Sequence, residues 1–461
     1  MKLGGRVIGK FCGAFLASSV LIANFGFAQS DPLFERSVEL LLQNLNHPEV
    51  EVGTVIASPS KQNPDYFYHW TRDGALTMSS VFALSQSGRG KRSNVDRYMY
   101  GFVDRTFKHQ ETFAFTGLGE PKYYVNGEAY LGPWGRPQND GPALRAVMLI
   151  DFANKKLAEG KKDYVWSKLY RAEIPANTVI KRDLEYVAHG WRDSSFDVWE
   201  EIKGTHFYTR IVQHRAMVLG AEIASRLQDH GASKFYFEQA KAIASEISRF
   251  WDQDRGIWLA TIDRTDGIDY KSGLDTQVIL ALNHVAGKNQ LLKFSDQRSL
   301  STIAKMEETF SSIYGINRKG FKSTVYGRYP EDRYNGYNSN GGGNPWVLTT
   351  LGIAEYLGRL HKELADQGFV EVSQISLKFY RLLVGNDLNV GRYSVQSNEF
   401  ARIQEGLSQK FDDLLGRVDF HSEPGFRLAE QINRETGYMQ GAADLTWNYA
   451  AFITAFLNAP K

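Results

Sequence analysis

Apolar positions recur three and four residues apart in stretch after stretch of this chain, the spacing that lines one face of an α-helix. Phe207–Leu227 (FYTRIVQHRAMVLGAEIASRL) shows it most clearly. Comparable stretches at 34–45, 74–86, 90–108, 141–157, 165–188, 232–251, 275–286, 299–314, 346–365, 371–384, 400–416 and 441–457 predict about a dozen helices, spaced roughly 35 residues apart. Ile257–Asp263 reads as one short strand, and no stretch predicts a multi-stranded sheet. Helical hairpins at this spacing build either an open solenoid or a closed ring of helix pairs. Solenoids repeat their sequence at a fixed period. No such self-similarity occurs here, so the expectation is an all-α, single-domain closed ring.

The connections carry a different composition from the helices. Segments 63–73, 115–141, 191–204, 326–346 and 424–447 are dense in Trp, Tyr, Gly, Pro, Arg and acids. Loops of that kind carry function when a rigid scaffold gathers them at one end.

The first residues read as a leader rather than as part of the fold. Lys2, Arg6 and Lys10 precede an apolar run from Phe11 to Phe25, and Gly26 and Ala28 offer a small-x-small cleavage pattern. The run is shorter than the roughly 20 apolar residues of a spanning helix. A signal peptide over 1–28 and a catalytic domain over 29–461 are therefore expected, with an exported protein, secreted or periplasmic, not stably bound to a membrane. The single cysteine, Cys12, lies in the leader, leaving no disulfide, thiol nucleophile or thiolate metal site in the mature chain. No metal or cofactor is expected. Fifty-four basic against 52 acidic residues, with signs interspersed, give no basic stripe for nucleic acid. Aromatic residues make up 13% of the chain, nine of them tryptophans, and such rings suit stacking on sugars as well as packing a core.

The sharpest chemistry sits in Asp197-Val198-Trp199-Glu200-Glu201. A carboxyl held against an apolar ring keeps its proton and can protonate a leaving oxygen, while its neighbour accepts hydrogen bonds from sugar hydroxyls. The competing reading is a charged helix start, with acids at the positive end of the dipole. Glu430, in Leu428-Ala429-Glu430-Gln431, is a second candidate carboxylate, followed by Asp444-Leu445-Thr446-Trp447. The loop from Asn63 to Asp73 holds Tyr66, Trp70, Arg72 and Asp73, an Arg–Asp pair able to grip vicinal hydroxyls beside ring faces. Trp134–Gly141 and Gly327–Asp332 repeat the theme. No phosphate loop or HExxH motif competes.

These segments together (YFYHWTRDG, WGRPQNDGPALRA, DVWEEIKGTHFYT, QHRAM, GRYPED, NPW, AEQ and DLTWNYAA) resemble, in order, the glucoamylase family, glycoside hydrolase family 15. The resemblance runs from about Leu33 to Leu457. It implies an (α/α)6 toroid of six inner and six outer helices with a pocket at one end. It also implies release of β-glucose, with inversion, from the non-reducing ends of α-1,4 and, more slowly, α-1,6 glucans such as starch, glycogen and maltooligosaccharides. By motif, Glu200 corresponds to the general acid, Glu430 to the general base and Asp197 to a supporting acid sometimes counted as catalytic. Glu201 corresponds to a glutamate on the leaving-group side. Arg72 and Asp73 correspond to the pair gripping the terminal glucose, with Tyr66, Trp70 and Trp447 around it. Trp134 and Trp346 correspond to the wall near the next sugar, beside Trp199, and Arg328 to an arginine spanning both. A monomer is expected.

The chain departs from the family pattern at Ser195 and His69, and an insert at Asn338–Gly343 lengthens the loop before Asn344-Pro345-Trp346. Two other readings stay open on the same scaffold: a carbohydrate-binding protein without catalysis, and hydrolysis of a different glucoside such as trehalose or a dextran end.

Overall fold

The computed structural model describes residues 27–89 and 95–461. The expected leader lies outside the described residues except for its last two positions, and so does the start of the 90–108 stretch. In chain order the helices are α1 (Phe27–Leu45), α2 (Thr71–Gln86), α3 (Val95–Glu111), α4 (Asp140–Ala158) and α5 (Val179–Gly190). They continue with α6 (Phe207–Arg226), α7 (His230–Glu246), α8 (Gln277–His284) and α9 (Gln297–Ile313). The last four are α10 (Val347–Gln367), α11 (Leu377–Val384), α12 (Asn398–His421) and α13 (Thr446–Leu457). None of the described helices is long and apolar enough to cross a membrane.

Six of them close a ring: α2 packs on α4, α4 on α6, α6 on α8, α8 on α10, α10 on α13, and α13 back on α2. The others form an outer layer, with α1 on α13, α3 on α2, α5 on α4, α7 on α6 and α12 on α10. The two layers differ in sequence for a physical reason. An inner helix has neighbours on every side, so α6 buries most of its residues, from Phe207 and Tyr208 through Ile211, Val212, Ala216 and Met217. An outer helix has one covered face. In α12 that face is Phe400, Ile403, Leu407, Phe411, Leu414 and Val418, spaced three and four apart. The expected all-α toroid is what forms.

Two predicted helices are shorter than their apolar patterns. Within 165–188, Val165–Leu169 makes a π-type turn, and α5 begins only at Val179, after a stretch containing Pro175. Proline lacks the N–H that helix propagation requires. Within 371–384, Phe369–Val372 pairs antiparallel with Gly391–Ser394, leaving only α11 helical.

The expected absence of a multi-stranded sheet is also corrected. Strands β1 (Ser195–Phe196), β2 (Ile202–His206) and β3 (Thr261–Gly267) form a three-stranded antiparallel sheet. The single strand expected at Ile257–Asp263 is in fact two, since Ile257–Trp258 pairs with Trp251–Asp252 and β3 starts afresh at Thr261. The residues of β2, Ile-Lys-Gly-Thr-His, alternate buried and half-buried but are too polar to announce a strand.

Ring closure is tight where α13 meets α10. A Cβ on Gly358 would lie 2.1 Å from the backbone oxygen of Asn458, the residue ending α13. Gly358→Ala improves helix propensity yet should destabilise the fold by about 1–3 kcal/mol, because backbone rather than a movable side chain blocks the methyl. Denaturant melts of the two proteins check this; an unchanged or raised midpoint would show that α13 is free to shift outward.

Candidate active site

Five of the six inner helices begin where one of the polar connections ends. Segments 63–73, 115–141, 191–204, 326–346 and 424–447 lead into α2, α4, α6, α10 and α13. Their side chains surround a pocket of about 460 Å³, while later turns of the same helices line a separate bore beneath it, with Leu348 and Trp447 between the two. The N-termini of the inner helices thus gather at the pocket, and their partial positive charge favours carboxylates there.

The DVWEE segment is the tip of a β-hairpin, not a helix start. The backbone N–H of Asp197 donates to the carbonyl of Ile202 (2.9 Å) and that of Glu200 to the carbonyl of Asp197 (2.9 Å). The Asp197 carboxylate, fully buried, accepts from the backbone N–H groups of Glu201 (2.7 Å) and Ile202 (3.0 Å). Glu200 closes the turn with φ +67°, a left-handed conformation costing a residue with a side chain about 1–3 kcal/mol. That turn aims its carboxyl into the pocket. There Oε1 accepts from the indole N–H of Trp70 (2.8 Å) and the amide of Gln138 (3.0 Å), with Arg72 at 3.6 Å. The ring of Trp199 serves a different neighbour: its N–H donates to Asp275 (2.9 Å), and it packs 5.6 Å from Trp346.

Glu201 points to the other side and is held by three donors. Arg328 reaches Oε1 at 2.8 Å, and Tyr329 and Lys271 reach Oε2 at 2.8 and 2.9 Å. Lys271, almost fully buried, also pairs with Asp197 at 3.0 Å and lies 4.0 Å from Asp275. Burial opposes charge on Asp197, but Lys271, His206 and the two backbone donors hold its pKa down to about 2. Asp275, where burial prevails, is pushed up to about 6.

Glu430 is 1% exposed and precedes a short strand, β4 (Gln431–Ile432), paired with β5 (Met439–Gln440). Gly441 lets the chain turn against it: φ is +82°, and a Cβ there would meet the Glu430 carboxylate at 2.8 Å. Burial pushes the Glu430 pKa up to about 8, against the opposing hydrogen bonds from Tyr66 and Tyr334 and the charge of Arg328. The two tyrosine hydroxyls are 3.1 Å apart.

Arg72 and Asp73, expected to grip a sugar together, lie side by side at the pocket as an ion pair without a hydrogen bond between them. Arg72 donates to Asp140 (2.8 Å) and Gln138 (3.0 Å), and its Nε lies 3.9 Å from Asp73, too far for a hydrogen bond. Asp73 is pushed up to about 7 by burial, which Arg72 only partly offsets. Among the described residues, the indole N–H groups of Trp134 and Trp346 have no hydrogen-bond partner, though both rings line the pocket.

Of the residues singled out by sequence, Asp197 alone lies off the pocket, beneath the hairpin tip, where it supports the turn rather than facing the cavity. The other twelve line the cavity: Glu200, Glu201, Glu430, Arg72, Asp73, Arg328, Tyr66 and the tryptophans 70, 134, 199, 346 and 447. The two departures have structural uses. The Ser195 hydroxyl accepts from the backbone N–H of Asn139 (3.1 Å), tying the hairpin to the start of α4. His69 is buried with a pKa lowered to about 3 by desolvation, and accepts from Val55 (3.1 Å). Sequence reasoning missed Gln138, Tyr334, Lys271 and Asp275. The first two stand in segments already marked as dense. The last two lie in Tyr270–Thr276, whose composition carries no such mark.

A family model described as Glycosyl hydrolases family 15 matches residues 36–457. The chain is 36% identical over 428 residues to a glucoamylase of Blastobotrys adeninivorans, covering 90% of this chain and 68% of that protein. It is 36% identical over 419 residues to glucoamylase 1 of Rhizopus oryzae, again covering 90% and 68%. Among solved structures, the family 15 glucoamylase of Hypocrea jecorina superposes with a TM-score of 0.83 at 30% identity, over 94% of this chain and 72% of that one. The glucoamylase of Saccharomycopsis fibuligera superposes with a TM-score of 0.85 at 28% identity, over 96% and 97%. With the family's pattern spanning nearly all of the described toroid, the chain belongs to glycosyl hydrolase family 15.

Proposed function

We propose that this enzyme, a glucan 1,4-α-glucosidase, removes β-glucose one unit at a time from the non-reducing ends of starch-like glucans. The observation that carries the reading is that one pocket holds two carboxyls in opposed surroundings. Glu200 accepts from Trp70 and Gln138 on a strained turn, while Glu430 sits buried beside two tyrosine hydroxyls. In this reading Glu200 protonates the glycosidic oxygen, and Glu430 takes a proton from the water that attacks the anomeric carbon from the opposite face. Arg72 and Asp73 hold the terminal glucose, and Trp447 closes the floor. Glu201 and Arg328 bind the leaving sugar, with the free N–H groups of Trp134 and Trp346 available to its hydroxyls. Export by way of the leader at 1–28 belongs to the same proposal.

Four measurements test it. Glu200→Gln should lower kcat on maltose about 10²–10⁴-fold. Glucosyl fluoride, whose leaving group needs no protonation, should lose far less, and equal losses on both would show that Glu200 is not the acid.

Proton NMR of a fresh maltoheptaose digest should show β-glucose as the first and only early product, with cyclodextrins left intact. Initial α-glucose, or early mixed oligosaccharides, would remove inversion or end-wise action respectively. Asp73→Ala should cost on the order of 2–5 kcal/mol in kcat/KM, the penalty for stripping one partner from a buried polar contact.

The acidic limb of kcat/KM reports ionisation of the base in the free enzyme. Tyr334 donates to the ionised form of Glu430 and so lowers its pKa. Tyr334→Phe removes that donor, the Glu430 pKa rises, and the acidic limb should move to higher pH. A limb that stays put or moves down would mean that Glu430 does not set it.

A further inference from the structure

The inner ring encloses a second cavity. Trp447 and Leu348 divide the pocket from a bore of about 240 Å³, lined by later turns of the inner helices. Glu355, near its mouth, follows Leu348 by seven residues on α10, a rise of about 10 Å. The floor and flanks are apolar, with Leu76, Leu144, Met148 and Leu280 among them. The mouth carries four charged side chains, of which Asp151 is exposed to water.

Two of the four satisfy each other. Arg359 donates to Glu355 through Nε (2.9 Å) and a terminal nitrogen (2.7 Å), and Thr454 donates to the other carboxylate oxygen (2.9 Å). Arg215, from the QHRAM segment, has no such partner. It is 8% exposed, and among the described residues its one hydrogen bond goes to the Lys288 carbonyl, with no carboxylate within 4.0 Å. Asp151 and Glu222 act on it only from farther away, and burial lowers its pKa. A guanidinium held out of water without a counter-charge is costly. Gly287 packs against it, since a Cβ there would lie 2.7 Å from a terminal nitrogen. Asn283, also on the wall and 3% exposed, donates to the Gly352 carbonyl (2.7 Å), and among the described residues its Oδ1 has no partner.

We propose that this bore is a second binding site, separate from the pocket, for a small organic anion with an apolar body, the chemistry of a short-chain fatty acid. The carboxylate pairs with the unspent donors of Arg215, a geometry that guanidinium and carboxylate share. The chain runs down between Leu144 and Leu280 towards Trp447. The volume lies below the roughly 300 Å³ at which pockets for drug-sized ligands begin, so the occupant is short.

Calorimetric titration of the whole protein at neutral pH with hexanoate, hexanol and acetate tests the site. Hexanoate should bind saturably, about tenfold or more tighter than hexanol, the range for a hydrogen bond to a charged group. Acetate, without most of the apolar chain, should bind more weakly than hexanoate by at least as much. Saturating glucose should leave hexanoate binding unchanged, and Arg215→Met should bring hexanoate down to the level of hexanol. Hexanol binding as tightly as hexanoate would leave only an apolar void, and acetate doing so would leave only a charge. Displacement by glucose would put the ligand in the pocket instead. Any of these, or no saturable binding, overturns the site, as does full affinity in Arg215→Met. Should that variant fail to fold, the three probes and the glucose competition still decide in the unaltered protein.

Discussion

Closure of the inner helix ring is the constraint from which the rest of the molecule follows. A helix with neighbours on all sides can bury residues around its whole circumference, but only if the sixth helix returns to the first. That return is made by α13, the last helix in the chain, which packs on both α2 and α10. The connections into the inner helices line one pocket while later turns of those helices line the bore beneath it, so the inner helices run in the same sense and their N-termini emerge at one end. Segments separated by hundreds of residues are thereby delivered to a single place. The hairpin tip at 197–201 and the turn at 430 share a cavity although 230 residues of chain lie between Glu200 and Glu430.

The same arrangement explains how so many acids tolerate burial. Asp73, Asp197, Asp275 and Glu430 are each at most 8% exposed. An isolated buried carboxylate is costly. Here the helix ends contribute partial positive charge, and three full cations stand among the acids: Arg72, Lys271 and Arg328. Lys271 touches both Asp197, which braces the turn of Glu200, and Glu201, which faces the pocket. One ammonium therefore couples the shape of the hairpin tip to the orientation of the carboxylate beside it.

Fold and site were legible in the sequence to different depths. Helical periodicity located the inner helices because burial on one or more faces leaves a three-and-four spacing whatever the partner is. It overran at 165–178 and 371–376, where apolar residues pack in extended or turned backbone that periodicity cannot distinguish from helix. The β1–β2–β3 sheet was invisible for the opposite reason, since polar β2 owes its pairing to a strand some 60 residues away. The aromatic, polar loops marked five of the six entries to the ring, and with them twelve pocket-lining side chains. The sixth entry, before α8, carries Lys271 and Asp275 in an ordinary stretch, Tyr-Lys-Ser-Gly-Leu-Asp-Thr. Their importance comes from what they touch, and contact partners distant in sequence leave no local pattern.

Trp199 shows how far adjacency in sequence can mislead about chemistry. Next to Glu200, it invites the reading of an apolar ring that keeps a carboxyl protonated. The hairpin tip sends the two side chains apart, and the Trp199 indole is spent on Asp275 and Trp346. The indole that meets Glu200 is Trp70, 130 residues earlier, and it meets the carboxyl through its N–H rather than its face. That bond helps to fix the Oε1 of Glu200, and Gln138, which also holds Arg72, fixes it from a second direction. An acid that must deliver one proton to one oxygen gains more from such fixed aim than from an apolar neighbour alone, since misalignment is penalised at every turnover. Glu430 is governed differently: burial and two tyrosine hydroxyls act on its charge, and Gly441 leaves the room in which its carboxyl lies. The two carboxyls are thus controlled by different devices, one by a strained hairpin and its hydrogen bonds, the other by burial beside a glycine turn, and the 63–73 loop joins them, since its Trp70 holds Glu200 while its Tyr66, packed 5.6 Å from Trp70, acts on Glu430.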